Sequence, residues 1–171
     1  NWYFNSTDPW AIDPYGWWGP FTDPIEQVRD NRSDWLWISS DLIDDGDNGF
    51  QRFQGPNWTR QNQGFNNDCW TSPSITEPSE SKHHAMWVPY VESAGEYDIE
   101  AFIPNDNNHT TGAIYELYIK NDDGTSNRIE SVIDQSSTEG DFILVNTMML
   151  PAGTKFAIIL RDLVNEGANG C

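Results

Sequence analysis

Basic residues are scarce in this chain. Nine Lys and Arg stand against 27 Asp and Glu among 171 residues, a formal net charge of −18. Gripping nucleic acid by its phosphates requires a basic face, and so does adhesion to anionic lipid, so neither nucleic acid nor membrane is an expected partner. No apolar run approaches the roughly 20 residues of a spanning helix. No Gly-x-Ser-x-Gly elbow, phosphate loop or dinucleotide fingerprint occurs, and no cofactor is expected. Cysteine is limited to Cys69 and Cys171, too far apart for a CxxC redox or zinc pattern. A disulfide stapling the C-terminus is the preferred reading, with two free thiols as the alternative. The chain starts at Asn1 without an initiator Met or a cleavable signal, which suggests a processed form or an excised piece.

Hydrophobic residues make up only 37%, but aromatics reach 13%, with nine Trp and eight Phe. These few large rings supply enough apolar area for a folded domain. At this length one domain with an arm or tail is the default. All nine Trp lie at or before Trp87, whereas regular alternation lies mostly after it. Asp8-Pro9, Asp13-Pro14, Gly19-Pro20 and Asp23-Pro24 forbid a long helix or central strand at the front. Residues 1–34 therefore read as an extended arm carrying Trp2, Tyr3, Phe4, Trp10, Tyr15, Trp17 and Trp18, with at most one short helix capped by Asp23-Pro24. So many rings must lie on some protein surface.

From Trp35 to Cys171 the pattern is β. Strands are expected at 35–38, 50–54, 85–88, 97–103, 113–120, 128–133, 142–149 and 155–160. Tyr97, Ile99, Ala101 and Ile103 should face inward against Asp98 and Glu100. Likewise Ala113, Tyr115, Leu117 and Ile119 should oppose outward Glu116 and Lys120. Residues 55–82 read as one long loop, anchored by Trp58, Phe65 and Trp70 and pinned by Cys69. Short strands separated by Gly-rich turns indicate an antiparallel β-sandwich or jelly roll.

Candidate chemistry is sparse. No spacing among the 27 acids singles out a pair for glycosidase work, and the chain is read as non-catalytic. Asp44, Asp45 and Asp47 invite a calcium reading, but an EF-hand needs Glu at the twelfth loop position. Counting from Asp44 or Asp45 reaches Gly55 or Pro56, which leaves a looser site or a solvated turn. His83, His84 and His109 make no convincing metal site, since neighbours on a strand face opposite ways; they read as surface residues. Trp58, Phe65 and Trp70 could stack on sugar rings or simply pin their loop. Four Asn-X-Ser/Thr sequons, at Asn5, Asn31, Asn57 and Asn108, fit a secreted glycoprotein and also an Asn-rich loop composition.

Several segments in order resemble a known family. They are Ile43-Asp44-Asp45-Gly46-Asp47-Asn48-Gly49-Phe50, then Ala85-Met86-Trp87-Val88-Pro89, then Ala94-Gly95-Glu96-Tyr97-Asp98-Ile99. Tyr115, Asp123-Gly124, Asp134-Gln135, Leu150 to Gly153 and Leu160-Arg161-Asp162 follow. Residues 43–165 thus resemble the carbohydrate-binding-domain-like family named after golvesin and xanthan lyase. The resemblance implies a non-catalytic β-sandwich of secreted, multidomain proteins with inferred sugar binding. The arm lies outside that pattern, and the family's closing strand of the type Val-Val-Ala-Asp-Ala-Val is not matched at 165–171. A sandwich short of a strand has an unpaired edge that templates another chain. The expected function is accordingly a secreted structural subunit. Its arm, residues 1 to about 31, would dock on the next copy and build an extracellular filament or surface layer. The alternative is a carbohydrate-binding accessory module with a polysaccharide partner.

Overall fold

The computed structural model describes residues 42–47, 49–53, 58–81, 83–106, 108–120, 125–138, 140–154 and 156–165. The arm, the strand expected at 35–38, the short helix after Asp23 and the Asp123-Gly124 turn lie outside them. The described chain is an all-β sandwich with antiparallel sheets. Its strands are β1 (Phe50–Phe53), β2 (Thr59–Gln61), β3 (Cys69–Thr71), β4 (His84–Trp87), β5 (Gly95–Ile103), β6 (Ala113–Lys120), β7 (Ser126–Ile133), β8 (Asp141–Leu150) and β9 (Phe156–Val164). One sheet has five strands in the order β1-β4-β9-β6-β7, while β2-β3 and β5-β8 form separate two-stranded ribbons.

Hydrophobic pattern decides where each strand sits. Residues 113–119 and 156–160 are apolar almost continuously, so β6 and β9 are buried on both faces and lie inside the five-stranded sheet. At its edge, β7 carries Asn127, Arg128 and Glu130, which are exposed. Along β5 the alternation places Tyr97, Ile99, Ala101 and Ile103 inward and leaves Asp98 and Glu100 exposed, as expected. In β8 the buried parity changes mid-strand: Ile143 and Val145 point in, then Met148 and Leu150. The cause is a bulge, because Ile99 pairs with Asn146 and Glu100 with Leu144, leaving Val145 as the extra residue.

The main core lies between β5-β8 and one face of β6 and β9, with Ile99, Ala113, Tyr115, Leu117, Val145, Leu150 and Phe156 at its centre. The opposite face of the large sheet has its own apolar cluster of Met86, Val88, Tyr118, Ala157 and Ile159, against which Phe53 packs. Glu116 corrects an expectation: it is not an outward, solvated residue but only 5% exposed on this second face. Its Oε1 accepts from Arg128 Nη2 at 2.5 Å, and its Oε2 accepts from Arg161 Nε at 3.0 Å and from the Tyr118 hydroxyl at 3.3 Å. Two guanidiniums offset the desolvation of a carboxylate that strand alternation forces beneath the surface.

Leu117 is fully buried and Met149 is 69% exposed. Leu117→Ala should lower the unfolding free energy by about 2–5 kcal/mol, whereas Met149→Ala should stay within about 0.5 kcal/mol of the parent. Urea denaturation followed by tryptophan fluorescence reads both.

Candidate functional site

The residues between β1 and β4 are more structured than a loop. Two three-residue strands, β2 and β3, pair Thr59 with Thr71 and Gln61 with Cys69. Gly64 makes their connection possible: its φ is +104°, and a Cβ there would lie 2.8 Å from the Cys69 Cβ. Asn66 and Asn67 also adopt positive φ, which Asn tolerates. Arg60 grips Asp68 with both carboxylate oxygens engaged, and this bond holds the Asp68 carboxyl below its usual range.

Arg52 fastens this ribbon to the large sheet. Its guanidinium carbon sits 3.3 Å from the centroid of the Trp70 ring and 5.7 Å from that of Trp58, a cation–π clamp. The Trp58 indole N–H donates to the Phe53 carbonyl at 2.8 Å, and the Trp58 ring meets His83 edge-on at 5.8 Å. Phe65 instead packs on Phe102 and Phe142, at the far ends of β5 and β8, with centroids 5.7 and 6.1 Å away. The three rings proposed as a sugar platform all line one cavity but stand in two groups on it. Trp58 and Trp70 gather around Arg52, and Phe65 joins a separate aromatic group.

Ribbon β5-β8 covers the large sheet off-centre. Asn146 of β8 donates to the Ser131 hydroxyl of β7 at 3.2 Å, which places β8 above the β7 side. On the other side, along β5, lies a cavity of about 1420 Å³. All of 97–104 lines it, but from β8 only Phe142 and Val145 do. Its floor includes Phe50, Ala85, Trp87, Ile158 and Leu160 of the large sheet, and its far wall is the β2-β3 ribbon with Cys69 and Trp70. The volume exceeds the roughly 300–1,000 Å³ of small-molecule pockets. A dry void of that size would cost on the order of 30 kcal/mol, more than the roughly 5–15 kcal/mol that stabilises a domain. The space is thus an open groove and not a sealed void. Sequence reasoning found its aromatic walls but not the groove, because the floor residues belong to strands distant in the chain.

The histidines are corrected as well. His83 and His84 are 5% and 2% exposed, not surface residues. They do face opposite ways: His83 Nδ1 lies 3.0 Å from Asp162 Oδ2, while His84 stacks on Phe53 with ring centroids 4.1 Å apart. Asp162, also buried, accepts from the Ser81 hydroxyl at 2.5 Å and the His83 backbone N–H at 3.0 Å. His109 is half-buried, its Nε2 2.8 Å from the Pro104 carbonyl. Asp44, Asp45 and Asp47 form a hydrogen-bonded turn, with Asp47 Oδ2 accepting from the Asp44 N–H at 2.8 Å. Among the described residues no group of three or more His, Cys, Asp and Glu converges to hold a metal. Asn108 is exposed on the loop after β5, so this sequon is open to glycosylation. Asn5, Asn31 and Asn57, and all seven aromatic residues assigned to the arm, lie outside the described residues.

Cys69 is a half-buried free thiol, and Cys171, its expected partner, lies outside the described residues. Burial, reinforced by Asp45, Asp68 and Asp106, raises its pKa to about 11. At neutral pH it is a poor nucleophile. In a Cys171→Ser background, its alkylation rate should rise about tenfold per pH unit from pH 7 and level off near about 11, where the thiolate fraction saturates.

Burial and the nearby Arg161 and His83 hold the His84 imidazole neutral, with a pKa well below the ordinary value of 6.5. The unfolded chain takes up that proton near 6.5 and the folded chain does not. This contribution to stability is present above about pH 6.5 and declines below it by up to about 1.4 kcal/mol per pH unit. Urea midpoints measured between pH 7 and pH 5 should show the decline, and His84→Phe should flatten that part of it.

No curated protein sequence matches the chain. A family model does. The Golvesin C-terminal domain matches residues 42–168, a span that contains both ribbons, the five-stranded sheet and every wall of the groove. With most of its length inside that match, the chain belongs to the Golvesin C-terminal domain family.

Proposed function

We propose that this protein is a non-catalytic, secreted structural subunit that assembles head-to-tail through its aromatic N-terminal arm into an extracellular filament or surface layer. One observation carries the reading. A layer of two strands faces a sheet of five, and the strip it leaves uncovered is an apolar groove beside a strand edge that no described strand pairs. Unpaired edges recruit strands from other chains. The family match supports an extracellular module. The arm's seven large rings match the groove in chemistry: burying each contributes roughly 1.5–3 kcal/mol, less the cost of ordering the segment. A contact in which the arm of one copy enters the body of the next is heterologous and does not close on itself, so it propagates.

Within the same groove, Trp70 and Trp87 favour a second reading, a polysaccharide chain as occupant. A glycan array separates the two, because the assembly reading expects no signal above background.

Light scattering and negative-stain microscopy of the full-length chain should show polymers that grow with concentration. Replacing Trp2, Phe4 and Trp10 together by Ser should return it to monomer, and a monodisperse monomer before substitution would refute the proposal. Both partners are acidic, since residues 1–31 hold five Asp and Glu against one Arg and the whole chain carries −18. Raising ionic strength from about 0.01 to 0.15 M shortens the screening length from about 30 to 8 Å, so salt should lower the concentration at which polymer forms.

A further inference from the structure

The groove borders one edge of a two-stranded ribbon. Among the described residues β5 pairs with β8 alone, and β2-β3 joins no other strand. The cavity runs along β5 from Tyr97 to Ile103 and ends against β2-β3. We infer that residues 2–10 of a second copy seat here as a strand beside β5, bridging toward β2-β3 and joining the two ribbons into one layer opposite the five-stranded sheet. The inference rests on the assembly reading and names its contact.

Length and pattern select this segment. β5 spans nine residues, and so does 2–10. With a side-chain period of two, Trp2, Phe4, Ser6, Asp8 and Trp10 share one face, and Tyr3, Asn5, Thr7 and Pro9 the other. The first face places three large rings over the apolar floor of Phe50, Ala85, Trp87, Ile158 and Leu160. The second face carries the Asn5 sequon outward, where a glycan has room. Pro9, which lacks an N–H, is the last residue but one, so the donor it removes lies beyond the pairs made by residues 2–8.

Reach permits a second copy. Leu42 and Ile43 themselves line the cavity, so a long linker begins beside the groove and could serve its own molecule or a neighbour; the assembly reading selects the neighbour. Four X-Pro pairs between Asp8 and Pro24 favour extended backbone. The 31 residues between Trp10 and Leu42, at about 3.1 Å per residue, span on the order of 100 Å. A domain of this size has a radius of gyration near about 15 Å.

Cys69 provides the test. In the full-length Cys171→Ser chain it is the sole thiol, and it lines the groove wall. A benzophenone iodoacetamide is attached there at a substoichiometric ratio at about pH 9.5, where more of the thiol is ionised; after a return to neutral pH and assembly in a mixture of 15N-labelled and unlabelled chains, the sample is irradiated and the products are sequenced by mass spectrometry. Crosslinks from Cys69 of one isotope to residues 2–10 of the other are expected. Crosslinks confined to a single isotope place the arm in its own groove and overturn the inference, and so do crosslinks to other segments alone. Polymers without arm crosslinks would leave the assembly reading standing and remove this contact. Inter-isotope arm crosslinks in particles that stop at dimers would do the reverse. As a second variant, Ala101→Trp fills the groove and should raise the polymerisation concentration by at least about tenfold. Thr147→Trp, on the exposed outer face of the same ribbon, should leave it unchanged. Equal assembly by the two variants would also overturn the inference.

Discussion

Two layers that pack face to face must match in width, and here they do not. Five strands at about 4.8 Å each present a face about 24 Å across, while a two-stranded ribbon covers about 10 Å of it. The rest of the molecule follows from that mismatch. β6 and Phe156 of β9 are covered and form the main core, while Ile158 and Leu160 of β9 pass into the groove floor. β4 and β1, on the uncovered side, show Ala85, Trp87 and Phe50 to a groove instead. The β2-β3 ribbon limits the groove because Arg52 reaches across from β1 to clamp Trp70.

The large sheet is also unusual in being apolar on both faces. Its second face mixes fully buried Met86, Ala157 and Ile159 with the carboxylate of Glu116. Such a group is tolerated because Arg128 comes from β7 and Arg161 from β9, each two positions along from the residue that pairs with Glu116, so both guanidiniums reach it diagonally across the ladders. Antiparallel pairing thus supplies the counter-charges that burial requires. The same geometry sets His83 against Asp162, across the β4-β9 side of the sheet.

Much of this was legible in the chain. Alternation in 97–103 placed four side chains inward, and all four line the core side of β5. The near-continuous apolar runs of β6 and β9 marked them as strands, although the alternation expected for Glu116 hid the burial of the second face. The ribbon β2-β3 escaped notice because three-residue strands such as Thr59–Gln61 are too short to show a period. The buried histidines escaped because burial depends on what packs against a residue, and a polar imidazole on a short strand looks like surface in sequence.

Composition and periodicity alone determined the class: an acidic, aromatic-rich, all-β chain, with an Asp-Gly-Phe opening and a Trp-x-Pro segment in the order of its family. Those properties are local, because strand propensity, turn residues and side-chain alternation act over a few neighbouring positions. Strand order is not local. Only the tertiary structure set β9 between β4 and β6, with partners on both sides, and left β5 with a single partner among the described strands. Only it gathered Phe50, Ala85, Ile158 and Cys69 around one groove, since pairing between strands far apart in the chain is decided by how whole layers bury their faces.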